Sequence, residues 1–503
     1  MKQDSISTVR APSLAESLVP VFSLVVFLAA AVINLNDLPQ IPLVTPLLEG
    51  LARLPYLGGA LQASVPVHIP LTGATIVAAL MALRLGWKWR EIEEGFKEGI
   101  MLSLGAVLIL LVVGMLIGTW IASGVVPMMI VYGLKLLSPH VFLFAACLIC
   151  AIVALSTGSS WTTAGTVGIA FIGIGGALGV PLPMVAGAII SGAYFGDKMS
   201  PLSDTTNLAP AVSGSELFEH VRHMVGTTLP SFVLALILYL VIGLNYGGEA
   251  HMEAVDTIVQ GITNGFSISP WLFVPPILVV VMVIMRVPAL PALTVGAVVG
   301  AIIASMLQGV SFAQILDVSY NGFVSATGVP AVDDLLTRGG MSSMYGTIGI
   351  ILCSMCFGGI MERSGMLERI AVAVLGLARG TSGLILATLG TCLGINVIAP
   401  DQYLSIVVPG RMYRSAYARA GLHPKNLSRC LEDAGTLTSP LVPWNSCGAY
   451  MYATLGVFPF AYLPFAFFNL INPLVSAFYG FTGWTIARIE PVRVEELRGQ
   501  KQV

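Results

Sequence analysis

Residues 196–210, GDKMSPLSDTTNLAP, place two carboxylates and several hydroxyl and amide side chains beside two prolines in an otherwise apolar part of the chain. Because Pro201 removes a backbone donor and disfavours helix at Ser200, a helix through 181–195 should unwind at about 196–203. Unwinding exposes carbonyl oxygens, and hard cations such as Na⁺ bind to clusters of oxygen ligands. The stretch predicts an ion-binding site with the candidate residues Asp197, Ser200, Asp204, Thr205, Thr206 and Asn207. Within this set we expect the Na⁺ ligands to be Asp197, Asp204, Thr205 and Asn207.

A second stretch, LEDAGTLTSPLVPWNSCGAY at 431–450, repeats this combination of acids, hydroxyls and prolines. Its prolines predict another interrupted helix, and its candidate ion-binding residues are Asp433, Ser439 and Asn445. For Glu432 and Asp433 there is an alternative, since acidic side chains also favour the first turn of a helix, here at its cytoplasmic start.

Two further interrupted segments precede these stretches, STGSSWTTAGT at 156–166 and NVIAPDQYLS at 396–405. Asp401 follows a proline and is either an ion-binding carboxylate or a helix N-cap. The Ser and Thr residues of the first segment either face a site or allow close helix packing. We expect the four interruptions to converge on one cavity at the middle of a membrane.

The acidic residues indicate how transport would be coupled. An ionisable side chain at membrane depth is costly and is by default a functional candidate. A desolvated carboxyl group holds a proton when the site is empty and releases it when a cation arrives. Competition of H⁺ and Na⁺ for one carboxylate then produces exchange, provided that access alternates between the two sides. For Asp197 the alternative is a solvated ion pair with Lys198 at a helix end.

The composition requires a lipid environment for most of the chain. Of the 503 residues, 56% are hydrophobic and only 10% are charged, whereas soluble domains have about 25% charged residues. The class is therefore an all-α polytopic membrane protein, and the apolar runs predict about 11–13 transmembrane helices with some half-length or re-entrant pieces.

The net charge of −2 argues against nucleic acid as a partner. The first apolar run, about 17–35, lacks a cleavage site after it and is expected to stay as the first span.

Loop charges predict the orientation. Residues 411–429 carry five basic residues and no acid, and 84–98 carry four basic residues, so both loops should be cytoplasmic. Residues 246–269 carry acids without Lys or Arg and suit the outside. We expect a cytoplasmic N-terminus.

The pattern G-x-x-x-S-P-L occurs at 196–202 and again at 435–441, which indicates an internal repeat. Opposite charge patterns in corresponding loops favour two inverted-topology repeats with discontinuous helices. We expect one transmembrane transporter domain over 1–503, with repeat one at about 67–225, repeat two at about 288–465, and polar termini at 1–16 and 486–503.

The stretches GAYFGDKMSPLSDTTNLAPAVSGSELFEHVRHM, 192–224, and EDAGTLTSPLVPWNSCGAY, 432–450, resemble the two hallmark motifs of the NhaC family of Na⁺/H⁺ antiporters. The resemblance extends from about residue 17 to 485. It implies a secondary transporter of a bacterial plasma membrane that exports Na⁺ in exchange for H⁺ and needs no cofactor. It also implies re-entrant hairpins whose tips bind ions, which adds Ser156, Thr157, Ser159 and Asn396 as candidates.

The same resemblance leaves the substrate open, since relatives of this family exchange organic acids such as malate and lactate with Na⁺ and H⁺ as coupling ions. An organic acid antiporter is therefore the alternative to plain cation exchange. Whether the chain forms a homodimer is also left open.

Other functional classes fit the sequence less well. The six histidines never form the H-E-x-x-H motif of membrane zinc proteases, and no P-loop motif indicates an ATP-driven pump. We expect no enzymatic activity, while a channel is not excluded. The C-x-x-C pairs, Cys147/Cys150 and Cys353/Cys356, are expected to be small apolar residues of buried helices. His220 and His223 are expected on the surface of a cytoplasmic helix.

Overall fold

The computed structural model describes residues 9–32, 66–245, 249–399 and 401–489. Within these ranges the chain is helical, and its only β pairing consists of two isolated bridges, Phe323 with Arg338 and Leu422 with Arg488. This confirms the all-α class. Residues 1–8 and 490–503 of the predicted polar termini, and 33–35 of the predicted first span, lie outside the described residues.

The helices of the first half end at residue 243. They are α1 (Leu14–Val32), α2 (His68–Arg84), α3 (Trp89–Ala122), α4 (Val125–Leu136), α5 (Pro139–Thr157), α6 (Ser160–Thr163), α7 (Ile169–Ala177), α8 (Leu182–Met199), α9 (Asp204–Ser213) and α10 (Leu217–Gly243). A π-helical turn, Ala164–Gly168, joins α6 to α7 without a break.

The helices of the second half begin at residue 249. They are α11 (Glu249–Gly265), α12 (Val274–Ile284), α13 (Ala289–Gln308), α14 (Phe312–Asn321), α15 (Pro330–Leu336), α16 (Tyr345–Arg363), α17 (Met366–Leu377), α18 (Gly380–Ile398), α19 (Gln402–Arg419), α20 (Pro424–Cys430), α21 (Ser446–Leu455), α22 (Pro459–Tyr462) and α23 (Phe467–Thr482). Short 3₁₀ turns and one π-helical turn, Leu431–Thr436, connect some of them.

Six of the described helices are long and apolar enough to cross a membrane, and the number rises to eight when each of two bent helix pairs counts as one span. The six are Trp89–Ala122, Pro139–Thr157, Leu217–Gly243, Ala289–Gln308, Met341–Arg363 and Gly380–Ile398. This number is below the predicted 11–13 transmembrane helices because several apolar segments of the described ranges form shorter helices or helices interrupted by polar breaks. The bent pairs turn by 99° and 60°, as discontinuous helices do.

The first predicted interruption lies between α8 and α9. Helix α8 ends at Met199, and Ser200 has extended backbone before Pro201. The Thr206 hydroxyl donates to the carbonyl oxygens of Asp197 and Lys198 at 3.3 and 2.9 Å, so the carbonyls that the break frees regain partners. Such partners are what permit irregular backbone inside a membrane protein.

The second interruption lies between α20 and α21 and contains the π-helical turn Leu431–Thr436 and a 3₁₀ turn, Ser439–Leu441. Side chains from other helices satisfy its carbonyls. The Asn396 amide donates to Gly435 O at 2.7 Å, and the Asn469 amide donates to Leu437 O at 2.9 Å.

Two helical hairpins face these interruptions. In the first, α5 and α6 meet at Gly158, whose φ of 69° is in the left-handed region that favours glycine. In the second, α18 and α19 meet at Ala399 and Asp401; residue 400 lies outside the described residues. Close helix packing fixes the first hairpin, because a Cβ at Gly192 of α8 would lie 2.0 Å from Cys147 O of α5.

The cysteines of the first pair fit the predicted packing role. Cys147 and Cys150 are both free and fully buried within the main apolar core. Cys353 and Cys356 are free and half-buried on α16.

Candidate functional site

A cavity of about 690 Å³ lies where the first hairpin tip, the first interruption and the second hairpin tip meet. Its polar wall consists of Thr157, Ser159, Thr162, Asp197, Ser203, Asp204, Thr205, Asp401, Gln402, Tyr403 and Ser446. The rest of the lining, called here the opposite wall, comes from α3 and from the turn between α12 and α13. It is mainly apolar and includes Arg286, whose φ of 66° lies in the left-handed region.

Four helices begin at this cavity. Ser159 is the N-cap of α6, Ser203 of α9 and Asp401 of α19, while Ser446 is the first residue of α21. A helix begins with unpaired N–H groups and a partial positive charge, so these ends favour negative groups. Two of them carry an aspartate of the cavity, Asp204 and Asp401, and at a third the first residue of α6 contacts Asp197 from α8.

Asp197 is one of two buried aspartates of the cavity, with 7% of its surface exposed, whereas Asp401 has 3%. Asp197 is the third residue from the end of α8, and its Oδ2 atom accepts hydrogen bonds from the Ser160 amide at 3.1 Å and the Ser160 hydroxyl at 2.6 Å. Both donors belong to the first residue of α6. The hairpin tip thus stabilises the charged form of a carboxylate on a different helix.

Asp204 and Asp401 occupy helix starts. Asp401 Oδ1 accepts a hydrogen bond from the Tyr403 amide at 2.7 Å, so the N-cap role is confirmed, and Asp401 also lines the cavity. The Tyr403 hydroxyl points to Asp204 Oδ2 at 3.5 Å.

Within the described ranges no three His, Cys, Asp or Glu side chains are close enough to hold a metal ion together. A cation here would need hydroxyl and carbonyl oxygens beside the carboxylates.

Six of the predicted site residues line the cavity, and eight do not. Those at the cavity are Thr157, Ser159, Asp197, Asp204, Thr205 and Asp401. Those elsewhere are Ser156, Ser200, Thr206, Asn207, Asn396, Asp433, Ser439 and Asn445.

Two of the residues outside the cavity are bound to backbone of their own segment. Ser156 is exposed and donates to Ile152 O at 2.8 Å. Asn207 is also exposed, and its amide donates to the carbonyls of Pro201 and Ser203.

Three others join the second hairpin to the second interruption. Asn396 donates to Thr438 Oγ1 at 2.9 Å and accepts from the Asn445 amide at 3.2 Å, while Asn445 also caps α21. The Ser439 hydroxyl lies 3.3 Å from Gln402 Oε1. These side chains hold α18 and α19 against the interruption.

Asp433 lies in a buried charged cluster. Its Oδ1 atom accepts hydrogen bonds from Lys198, from Thr227 at 3.1 Å and from Asn472 at 2.8 Å. Its Oδ2 atom lies 3.7 Å from Arg429 Nε. The solvated Asp197–Lys198 pair is wrong, because Lys198, Arg429 and Asp433 have no exposed surface. Asp433 does not mark a helix start either, since its π-helical turn continues α20.

Sequence reasoning missed Lys198 and Arg429 as members of this cluster. The available signal was a lysine within an apolar segment next to a proline break, since charges at such depth are paired. Its partner could not be identified, because Asp433 is 235 residues away along the chain.

Two more polar side chains are buried beside this cluster. Glu432 and His220 have no exposed surface, and no described residue forms a hydrogen bond with either Glu432 oxygen or either ring nitrogen of His220. The prediction of a surface position for His220 is wrong, since this face of α10 packs against the second interruption. His223 is half-buried and contacts Arg429 Nη1 at 3.2 Å.

The sequence from 192 to 484, which contains both interruptions and the second hairpin, matches the sequence model of the Na⁺/H⁺ antiporter family. The chain belongs to that family. The match is supported by the Na⁺/H⁺ antiporter NhaC of Alkalihalophilus pseudofirmus, which is 40% identical over 420 residues, 83% of this chain and 91% of the relative.

Other members of similar identity have other names. The malate-2H⁺/Na⁺-lactate antiporter of Bacillus subtilis is 40% identical over 420 residues, 83% of this chain and 90% of its own length. The arginine/ornithine antiporter ArcD of Halobacterium salinarum is 36% identical over 488 residues, 96% of this chain and 94% of its own length. The antiporter is a multi-pass membrane protein, as its membrane-spanning helices and its family indicate, and its relatives are named for more than one substrate.

Proposed function

We propose that this antiporter exports Na⁺ in exchange for H⁺ and that both ions use the carboxylates of the cavity. The observation that carries the proposal is the group of three aspartates, Asp197, Asp204 and Asp401, that line one cavity at the starts of helices or against them. From the positive-inside rule we assign the loop 411–429 and the N-terminus to the cytoplasmic side of a bacterial plasma membrane.

The coupling follows from the two possible occupants of a carboxylate. The amide and hydroxyl of Ser160 stabilise the ionised Asp197, which leaves its other oxygen to a cation. A proton on the same group removes the negative charge that a cation needs, so Na⁺ and H⁺ exclude each other. Movement of the site between two accessible states then exchanges one ion for the other.

A second candidate, exchange of an organic acid coupled to Na⁺ and H⁺, is favoured by the dimensions of the cavity. A volume of about 690 Å³ exceeds what a bare cation fills and lies within the roughly 300–1,000 Å³ of small-molecule sites. Arg286 on the opposite wall supplies a cation for a carboxylate. The name of the Bacillus subtilis relative fits this candidate.

Purified protein in liposomes distinguishes the two candidates. A Na⁺ gradient alone should drive proton movement, read with a pH-sensitive dye, and proton-driven ²²Na⁺ uptake should follow. Asp204→Asn should abolish both signals, whereas Asp334→Asn, an exposed acid outside the cavity, should change neither. Normal exchange by Asp204→Asn would remove Asp204 from the proposed site.

The organic acid candidate needs the same liposomes loaded with malate or lactate. If Na⁺-dependent proton movement occurs only with one of these acids inside, the second candidate replaces the first. Movement of equal rate without any organic acid would exclude it.

A further inference from the structure

The segment after the last helix binds back onto the basic loop. The Ala487 amide and carbonyl pair with the side-chain oxygen and nitrogen of Asn426 at 3.0 and 2.6 Å. The Ile489 amide donates to Gly421 O at 3.0 Å. We call residues Gly483–Ile489 the strap, because they run from the end of α23 across the start of α20.

The strap also covers a charge of the buried cluster. Arg429 Nη1 donates to Thr485 Oγ1 at 2.8 Å, beside its contact with His223. Thr485 has a φ of 59°, a left-handed conformation that β-branched residues rarely adopt. Local contacts must hold this residue in place, and the cost of its backbone makes the strap easier to release than a packed helix.

From the strap, buried polar groups lead to the first interruption. Thr485 contacts Arg429, Arg429 pairs with Asp433, and Asp433 pairs with Lys198. Lys198 is the neighbour of Asp197 in the chain, yet Lys198, Asp433 and Arg429 do not line the cavity. These groups therefore approach the site from the side of the basic loop, and the strap contacts the outermost of them, Arg429.

We propose that the strap is a gate on the basic-loop side, which leaves Arg429 when that side of the site opens and returns when it closes. The inference rests on the proposed function, because alternating access requires that each side open in turn. Polar contacts and the packing of Ile486 hold the strap, and the unfavourable backbone conformation of Thr485 opposes them, so we expect its release to uncover Arg429 without unfolding a helix.

A disulfide between the strap and α10 tests whether release is required. A Cβ at Gly226 would lie 3.8 Å from Thr485 Cβ, and natural disulfides have Cβ atoms about 3.8 Å apart. In the double variant Gly226→Cys, Thr485→Cys, oxidation should slow Na⁺-dependent proton movement at least tenfold, and reduction should restore it. Equal rates before and after reduction would overturn the proposal.

The chain offers a matched control pair away from the strap. A Cβ at Gly265 would lie 3.9 Å from Thr327 Cβ, so Gly265→Cys, Thr327→Cys forms the same kind of cross-link between α11 and the loop before α15. Oxidation of this variant should leave exchange unchanged. If wild-type protein shows no Na⁺-dependent proton movement, the proposed function fails; if it exchanges and the cross-linked strap does too, only the gate is wrong.

The single variant Gly226→Cys gives a second readout that keeps Thr485 intact. The strap shields position 226, so a membrane-impermeant maleimide should label Cys at this position at least threefold faster during Na⁺/H⁺ exchange than at rest, after subtraction of wild-type labelling. The same labelling rate in both conditions would show that the strap stays closed, and would overturn the proposal even if the double variant were inactive.

Discussion

Lys198 and Asp433 form a fully buried ion pair that joins the two interrupted segments of the antiporter across 235 residues of sequence. Asp433 also pairs with Arg429, so one carboxylate serves two buried cations. The contact fixes the distance between the interruptions, and it places a charged cluster directly behind the cavity wall that contains Asp197.

Asp433→Asn should destabilise the protein more than Lys198→Met. The first change leaves two buried cations without their shared carboxylate, whereas the second leaves Asp433 paired with Arg429. Removal of one partner of a buried pair costs about 3–5 kcal/mol, and we expect Asp433→Asn to reach this range. Thermal unfolding in detergent measures the order, with the exposed Asp256→Asn as the control. A larger loss of stability in Lys198→Met than in Asp433→Asn would show that Lys198 makes a stronger interaction with a group other than Asp433.

Ser160→Ala should weaken the apparent Na⁺ affinity of exchange. The variant loses the hydroxyl donor to Asp197 but keeps the amide donor, so the carboxylate competes less well for Na⁺ against protons. A hydrogen bond to a charged group contributes about 1.5–3 kcal/mol, which sets an upper limit on the rise in KM for Na⁺; we expect about tenfold, or roughly 1.4 kcal/mol.

The rise in KM for Na⁺ caused by Ser160→Ala should become larger as the pH falls, because more protons then compete with Na⁺ for the Asp197 carboxylate. Ser156→Ala on the same hairpin is the matched control, since Ser156 bonds only to its own helix. A KM for Na⁺ that changes equally in both variants would contradict the role given to Ser160.

Asn396→Ala should lower stability and leave the KM for Na⁺ nearly unchanged. The substitution leaves Gly435 O and the Asn445 amide short of partners in a fully buried place, at a cost of about 1–3 kcal/mol for each unsatisfied group. Thermal unfolding gives the loss, with Asn264→Ala on an exposed helix end as the control. A large rise in KM without loss of stability would instead make Asn396 an ion ligand, as the family resemblance implies.

Asp333→Asn tests a pH-dependent contact outside the membrane-spanning helices. The amide and hydroxyl of Thr327 and the Ser325 hydroxyl all donate to Asp333, and these bonds hold the pKa of its carboxyl below the usual range. A depressed pKa in the folded state adds stability above the ordinary aspartate pKa, and this stability is lost as the pH falls through the lowered value. The variant should therefore melt at a lower temperature than wild type near neutral pH, and the difference should shrink in acid. A difference independent of pH would show that the charge is not what matters.

The interruptions were predictable from proline chemistry, but which side chains face the cavity was not. Pro201 ends α8 as expected, although the helix continues to Met199 instead of unwinding from 196. That extra turn places Asp197 on a regular helix, with its side chain toward the hairpin tip. Asp204 and Asp401 follow the same logic, because each stands where a helix restarts.

The misplaced predictions came from contacts that sequence spacing does not encode. Ser156 and Thr157 are adjacent, yet only Thr157 lines the cavity, since α5 remains helical to its end and turns Ser156 outward. Asn207 is one turn beyond Asp204, but its amide bonds back to the interruption. The partners of Lys198 and Asn396 depend on helix packing over long sequence separations.

The four helix starts at the cavity have one consequence for redesign. Their partial positive charges belong to peptide groups, so side-chain substitution leaves them in place. Replacing Asp197, Asp204 and Asp401 by neutral residues would therefore not make the cavity electrostatically neutral. It would leave a region of positive electrostatic potential that concentrates small anions such as chloride.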